Sequence, residues 1–317
     1  MAGWYGCLSL MANDSLLILF NPVSGGGRAE QAAGRLARTL SGAGHKTALA
    51  PTRREPGDGW LDERLTDTAV LVILGGDGAV RAAAGAAIRT RTPVYHVPYG
   101  TANLFAREFG MDRKPATLLR ALDRFDVRLV DVGEANGEPF VLMASVGFDA
   151  DVVHDLAARR GASISYLSYL GPLLSQLRRW DPTSHSIKID GRSVELDPPS
   201  RGTIIVANAR CYAFGLNPAP DADMTDGLLD AIDLPMPTRR SVVAWMLKLR
   251  LGRRRGVKTR RGALIEIQCE TPRRLQLDGD PSGDTSRLFR LSIRRGVLPV
   301  LIPLKSPPVV SDEQVGV

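Results

Sequence analysis

Short runs that are apolar throughout mark the first hundred residues. LLILFNP (16–22) ends on Asn-Pro, AVLVILGG (69–76) on a glycine pair and TPVYHVPYG (92–100) on Tyr-Gly, and HKTALAPT (45–52) reads as another strand. Between them, residues 28–43 place Leu36 and Leu40 four apart among alanines, and 79–89 are alanine-rich, both patterns predicting helices. Strands apolar on both faces and separated by helices predict a parallel sheet covered on both sides. Ligands of such sheets bind at the carboxyl ends of the strands. Asn21, Gly75 to Gly78 and Gly100 to Asn103 all fall there, so three loops at one sheet edge form the expected site.

From about Val127 the pattern changes. VRLVDVGEANGEPFVLMASVGFDA predicts a hairpin turning at Asn136 and Gly137, and SIKIDGRSVEL another at Asp190 and Gly191. TIIVANAR, LLDAIDL, ALIEIQCE, RRLQLDGD and LFRLSIRR add short strands, with helices expected near 150–180 and 239–251. The expected fold class is therefore α/β plus β. An N-terminal α/β domain with a mainly parallel sheet covers 1–131, and a β-rich domain covers 132–303. The polar tail 304–317 is a candidate to complete the first domain.

Composition narrows the function classes. A 317-residue chain that is 44% apolar is long enough for two cores, and no apolar run approaches the roughly 18–20 residues of a membrane span. The N-terminus lacks the basic start of a signal peptide, and Met11 stands just before the first strand as an alternative start. Cys7, Cys211 and Cys269 form no CxxC pair, which excludes a zinc knuckle or disulfide framework and fits a reducing cytosol. The net charge of +7 concentrates in RLGRRRGVKTRR (250–261). A nucleic-acid module would interleave aromatics there, and this stretch does not, so no nucleic-acid partner is expected.

The loops carry the candidate chemistry. In GGDG (75–78), residues without Cβ let amides approach an anion at a helix start. Asp77 would repel phosphate directly, so it acts through Mg²⁺ or a ribose hydroxyl, or it simply caps the turn. The Gly-Lys-Ser/Thr ending of a Walker A loop is absent after the first strand. Gly100 and Thr101 offer a turn and a hydroxyl, with Asn103 bracing the loop by side-chain hydrogen bonds.

The ordered set NPVSGG, GGDG, PYGTAN, SVGFDA, LNPAPDADMTDGLLD and LDGD resembles the diacylglycerol kinase catalytic-domain family, from about Leu16 to Pro303. That family takes in bacterial diacylglycerol kinases, related lipid kinases and sphingosine kinases. The resemblance implies an N-terminal domain that binds ATP, a C-terminal β-sandwich that binds lipid, and an active site in the cleft between them. It implies nucleotide contacts from Asn21, Thr52, Gly75, Gly76, Asp77, Gly78, Ala79, Val80, Arg81 and Thr101. It implies a structural Mg²⁺ on the Asp226 side chain with the carbonyls of Asp223 and Leu228. Asp280 stands where the family has the Glu of Asp-Gly-Glu, the general base, and Asp77 serves the nucleotide side of catalysis. This chain departs from the family pattern at Ala79, where Thr is usual, and at Arg81 to Ala83, where an Asn-Glu pair follows. It also has Leu104, where some members have Asp. Arg81 is then expected to pair with phosphate.

The implied activity is ATP- and Mg²⁺-dependent phosphorylation of a diacylglycerol-like lipid. The alternatives are a NAD kinase, whose family also carries GGDG, and a lipid- or nucleotide-binding protein with weakened catalysis. The apolar-basic stretch 241–261 is expected to touch an anionic membrane surface. The protein is expected in the cytoplasm, peripheral to the inner face of the membrane, and a homodimer is left open.

Overall fold

The protein is described by a computed structural model covering residues 15–53, 57, 59–159, 166–194 and 200–303. Met11, Cys7 and the tail 304–317 lie outside the described residues. No helix among the described residues is long and apolar enough to cross a membrane.

The first half alternates as its periodicity dictates. In order come β1 (Ser15–Phe20), α1 (Arg28–Gly42), β2 (Lys46–Pro51), the short α2 (Asp62–Leu65), β3 (Val70–Gly75), α3 (Asp77–Thr90) and β4 (Val94–Pro98). Helices α4 (Leu104–Phe109) and α5 (Pro115–Arg124) follow. The strands pair in parallel in the order β2-β1-β3-β4. Every residue of β3 is buried, because helices cover both faces of this central strand. Helix α1 buries Ala29, Ala32, Ala33, Leu36 and Leu40, the stripe that three- and four-residue spacing produces. Helix α3 turns small side chains (Ala79, Ala83, Ala84, Ala87) inward, which lets it lie close on the sheet.

The second half contains β5 (Val127–Ala135), β6 (Glu138–Phe140), β7 (Met143–Val146), α6 (Phe148–Ala158), a 3-10 turn at Tyr166–Tyr169 and α7 (Leu170–Arg179). Then come β8 (His185–Ile189), β9 (Arg192–Val194), β10 (Gly202–Ala207), β11 (Leu229–Pro235), α8 (Arg239–Arg250), β12 (Lys258–Gly262), β13 (Leu264–Leu277) and β14 (Asp280–Leu301). These strands pair antiparallel around their own core of Phe140, Ile187, Val206, Ile265, Leu277 and Phe289. Three tight hairpins turn at Asn136–Gly137, Asp190–Gly191 and Asp278–Gly279, with φ positive at both central residues of each. That is the conformation a two-residue primed turn demands. The helical stretch expected near 150–180 is two helices, α6 and α7.

The two halves share one sheet. Strand β14 leaves β13, pairs antiparallel with β5, and ends beside β4 in parallel through Val300 and Val94. Strand β5 crosses the expected boundary at residue 131, where its pairing with β14 shifts register between Val132 and Val130. The strand that returns to the first domain is β14 itself, ahead of the tail.

The β5–β14 pairing shifts register between Arg294 and Leu298, and Asp131 fixes that irregularity. Its buried carboxylate accepts the amides of Gly296 (2.6 Å) and of Gly227 (2.7 Å), the latter in the loop before β11. Asp131→Ala would strand two amides and is expected to lower unfolding stability by about 2–4 kcal/mol in urea denaturation.

Candidate active site

Three strand ends of the parallel sheet bring their loops together. The amide of Asn21, after β1, donates to the Leu74 carbonyl, and its side-chain oxygen accepts the amide of Val23. The Gly75 carbonyl accepts the amides of Tyr99 (2.8 Å) and Gly100 (3.0 Å), joining the loops after β3 and β4. A Cβ on Gly76 would meet the Gly100 Cα at 3.1 Å, so at these two positions glycine allows the loops to touch each other. Asn103 braces its own loop, accepting the Gly100 amide at 2.7 Å and donating to the Gly100 carbonyl at 2.8 Å. Thr101 lies within this braced turn. Thr52 closes the edge beside them, its amide donating to the Phe20 carbonyl.

The Asp77 carboxylate has a defined structural task. Its two oxygens accept the amides of Leu104 (3.0 Å) and Phe105 (2.9 Å), capping α4 from across the site. A carboxylate at a helix start satisfies orphan amides and complements the helix dipole. Asp77 thus caps a helix, though α4 instead of its own α3. Below the loops His96 is fully buried, with Nε2 2.9 Å from the Gly75 carbonyl. Burial pushes its pKa down, so the imidazole is neutral and donates from Nε2. Nothing in the run TPVYHVPYG distinguishes this brace from an ordinary strand residue.

The second half delivers the opposing wall. The Asp278–Gly279 turn is pinned twice. Asp278 folds back to accept the amides of Val141, Leu142 and Met143 at 2.7–2.9 Å, and Gln276 Oε1 accepts the Gly279 amide at 2.8 Å. Burial pushes the Asp278 carboxyl up to about 6, while the three amides pull the other way. Gln276 also donates to Ser145 Oγ and to Asp149, which accepts from Ser145 at 2.6 Å and from Tyr212. Desolvation raises the pKa of the half-buried Asp149. The consequence is the placement of Asp280, the first residue of β14. A Cβ on Gly78 would lie 2.7 Å from Asp280 Oδ2, so a carboxylate from the second half rests directly on the glycine turn of the first. Glu108 adds another link between the halves, accepting the amides of Arg210 and Cys211 and the Arg210 guanidinium. Burial, with the Glu108 charge adding to it, pushes the Cys211 thiol up to about 12, which keeps it protonated.

Comparison with known proteins decides the lineage of this arrangement. The diacylglycerol kinase catalytic domain matches residues 15–135, and the YegS C-terminal NAD kinase beta sandwich-like domain matches residues 143–302. The chain belongs to the diacylglycerol kinase catalytic-domain family. A "Probable lipid kinase YegS-like" protein of Pseudomonas aeruginosa is 33% identical over 248 residues, which are 75% of this chain and 78% of that one. One of Pseudomonas fluorescens is 31% identical over 244 residues, with the same shares. A solved diacylglycerol kinase from Bacillus anthracis superposes with TM-score 0.67 at 18% identity, over 91% of this chain and 97% of its own. A further Bacillus anthracis structure reaches TM-score 0.74 at 20% identity, covering 95% and 98%. At these identities the structures speak for the fold, and the catalytic-domain match makes the protein a kinase of this family.

The positions where the chain departs from the family pattern have structural explanations. The Ala79 methyl is buried against Gly75, where a Cβ would come within 2.8 Å of it. Val80 is a core residue, leaving only its backbone for a ligand. Arg81 points to the β5–β6 hairpin, with Nε donating to the Pro139 carbonyl at 2.9 Å and Nη2 to the Glu138 carboxylate at 3.1 Å. It ties α3 to the second half, and its guanidinium is engaged there instead of with a phosphate.

The loop of Asp223, Asp226 and Leu228 lies elsewhere, before β11. Asp226 accepts the Leu228 amide at 2.9 Å with one oxygen and pairs with Arg261 through the other. Arg261 also reaches buried Asp230 at 3.2 Å, and Asp223 accepts the amide and hydroxyl of Thr225. The carboxylate that would hold a metal is therefore held by an arginine, and the loop as built does not fit a Mg²⁺. Among the described residues no group of three or more His, Cys, Asp or Glu is arranged for a metal ion.

Two outcomes are expected. EDTA should leave the melting temperature of the wild type unchanged, whereas Arg261→Met, which strips buried Asp230 of its cation, should lower stability by about 2–3 kcal/mol in thermal unfolding. Asp278→Asn presents an NH₂ to amides that need an acceptor, and should cost about 2–3 kcal/mol by the same measurement.

Proposed function

We propose that the protein transfers the γ-phosphoryl group of ATP to a hydroxyl of a diacylglycerol-like lipid. The observation that carries this reading is the Asp280 carboxylate seated against Gly78, a base candidate from one half meeting the phosphate turn of the other. Phosphoryl transfer asks a protein chiefly for positioning and charge neutralisation. The α3 N-terminus and the glycine turns would hold the triphosphate, with Asn21, Thr52 and Thr101 around it. ATP carries its own divalent counter-ion in such reactions, so this reading does not depend on the Asp226 loop. Asp280 would accept the lipid hydroxyl proton as the new O–P bond forms and the bond to the β-phosphate breaks, releasing ADP. Asp77 acts as a positioning residue through the α4 cap.

Aspartate is one methylene shorter than the glutamate usual at this position. Contact with Gly78 offsets the difference, because the missing Cβ is what lets the turn of β13 and β14 come so close. The two-domain match to lipid-kinase relatives favours this reading over a NAD kinase.

Radiolabelled ATP offered with diacylglycerol and with NAD tests it. Label in the organic phase is expected, and Asp280→Asn should lower kcat by about 10²-fold or more with folding intact. Gly78→Ala, whose methyl displaces the carboxylate, should depress kcat in the same direction. Label on NAD alone, or ATP binding without turnover, would sink the proposal.

A further inference from the structure

Large exposed apolar side chains are concentrated in three neighbouring segments. Of the eleven among the described residues, seven are Leu167, Leu170, Leu174, Phe214, Val243, Leu247 and Leu251. Leu167, Leu170 and Leu174 follow three- and four-residue steps along the 3-10 turn and α7, and Val243, Leu247 and Leu251 follow four-residue steps along α8. Each series is one helical stripe. Both helices already have an inner apolar face: Leu173 and Leu177 on α7, and Val242, Trp245 and Leu249 on α8, pack on the core. The outer stripes are therefore surplus to folding. Helix α7 packs against α8, and the rings of Tyr169 and Phe214 meet edge-on at 5.1 Å, so the three segments form one surface.

The helical segments of this surface carry one sign of charge, with exposed Asp181 and Asp221 at its edge. Residues 166–180 and 234–265 contain no Asp or Glu. Arg178, Arg179, Lys248, Arg250, Arg253 and Arg255 are all exposed there. Arg254 differs, being drawn down to Asp221 and the Pro218 carbonyl.

The surface also borders the acceptor side of the site. Tyr212, whose hydroxyl meets Asp149 beneath the Asp280 turn, is only two residues from Phe214. Two residues span at most about 7 Å.

We infer that this surface, formed by α7, the Phe214 turn and the outer face of α8, docks the protein on an anionic lipid bilayer. The apolar stripes would enter the interface and the arginines face the headgroups. An apolar patch on segments that carry cations and no acids suits that partner, whereas a second copy would bring like charges together. The need for a bilayer rests on the lipid-kinase reading; the surface itself does not.

Flotation with vesicles containing phosphatidylglycerol, against phosphatidylcholine alone, tests the inference without turnover. Wild-type protein is expected to bind the anionic vesicles, less so at high salt. Leu170→Glu with Leu247→Glu should weaken binding by at least about tenfold while leaving the melting temperature unchanged. Arg253→Glu with Arg255→Glu should weaken binding to anionic vesicles only. Equal vesicle binding by wild type and the leucine variant would overturn the inference, as would no binding by the wild type. So would a dimer in sedimentation analysis that the leucine substitutions dissociate, which would give the patch to a second copy. Vesicle binding without kinase activity would count against the proposed function and leave the docking surface standing.

Discussion

Strand β14 is the constraint on which the rest of the molecule depends. It begins at Asp280 in the second half and ends at Leu301 beside β4 in the first. At about 3.3 Å per residue such a strand is longer than either half needs alone. Because backbone groups buried on it must all find partners, its pairing with β13, β5 and β4 fixes how the halves sit. The cleft is consequently built into one hydrogen-bonded sheet, and Asp131 holds the place where the β5–β14 pairing shifts.

Buried and half-buried carboxylates do much of the positioning. Asp131, Asp278 and Asp77 each accept two or three backbone amides from distant segments, and Asp149 gathers three side chains. An ionised oxygen makes stronger hydrogen bonds than a neutral one and accepts several, so it can fix loops that have no ladder of their own. Arg261 supplies the complementary solution in the loop before β11, where a guanidinium joins Asp226 and Asp230. Charge is used here to hold turns in place, and the candidate base inherits its position from that framework.

The glycine turns gain a second meaning from this packing. Gly76 and Gly100 permit contact between loops, and Gly78 permits contact with Asp280. A phosphate-holding turn and a close interdomain contact therefore make the same demand on the sequence. The residue type alone does not separate them.

Local pattern determined the elements. Fully apolar runs such as 70–75 became parallel strands because helices cover both faces, and the Asn-Gly and Asp-Gly pairs became primed hairpins because those residues tolerate positive φ. The ordered motifs were enough to reveal the family. What the sequence could not contain was the partner of each polar side chain. That Asp77 caps α4, that Arg81 binds Glu138, that Arg261 holds Asp226 and that Asp280 lies on Gly78 are contacts across 27 to 202 residues of chain. Such contacts depend on the register and twist of the shared sheet, which no local window encodes. The tertiary structure alone decided them, and with them the shape of the site.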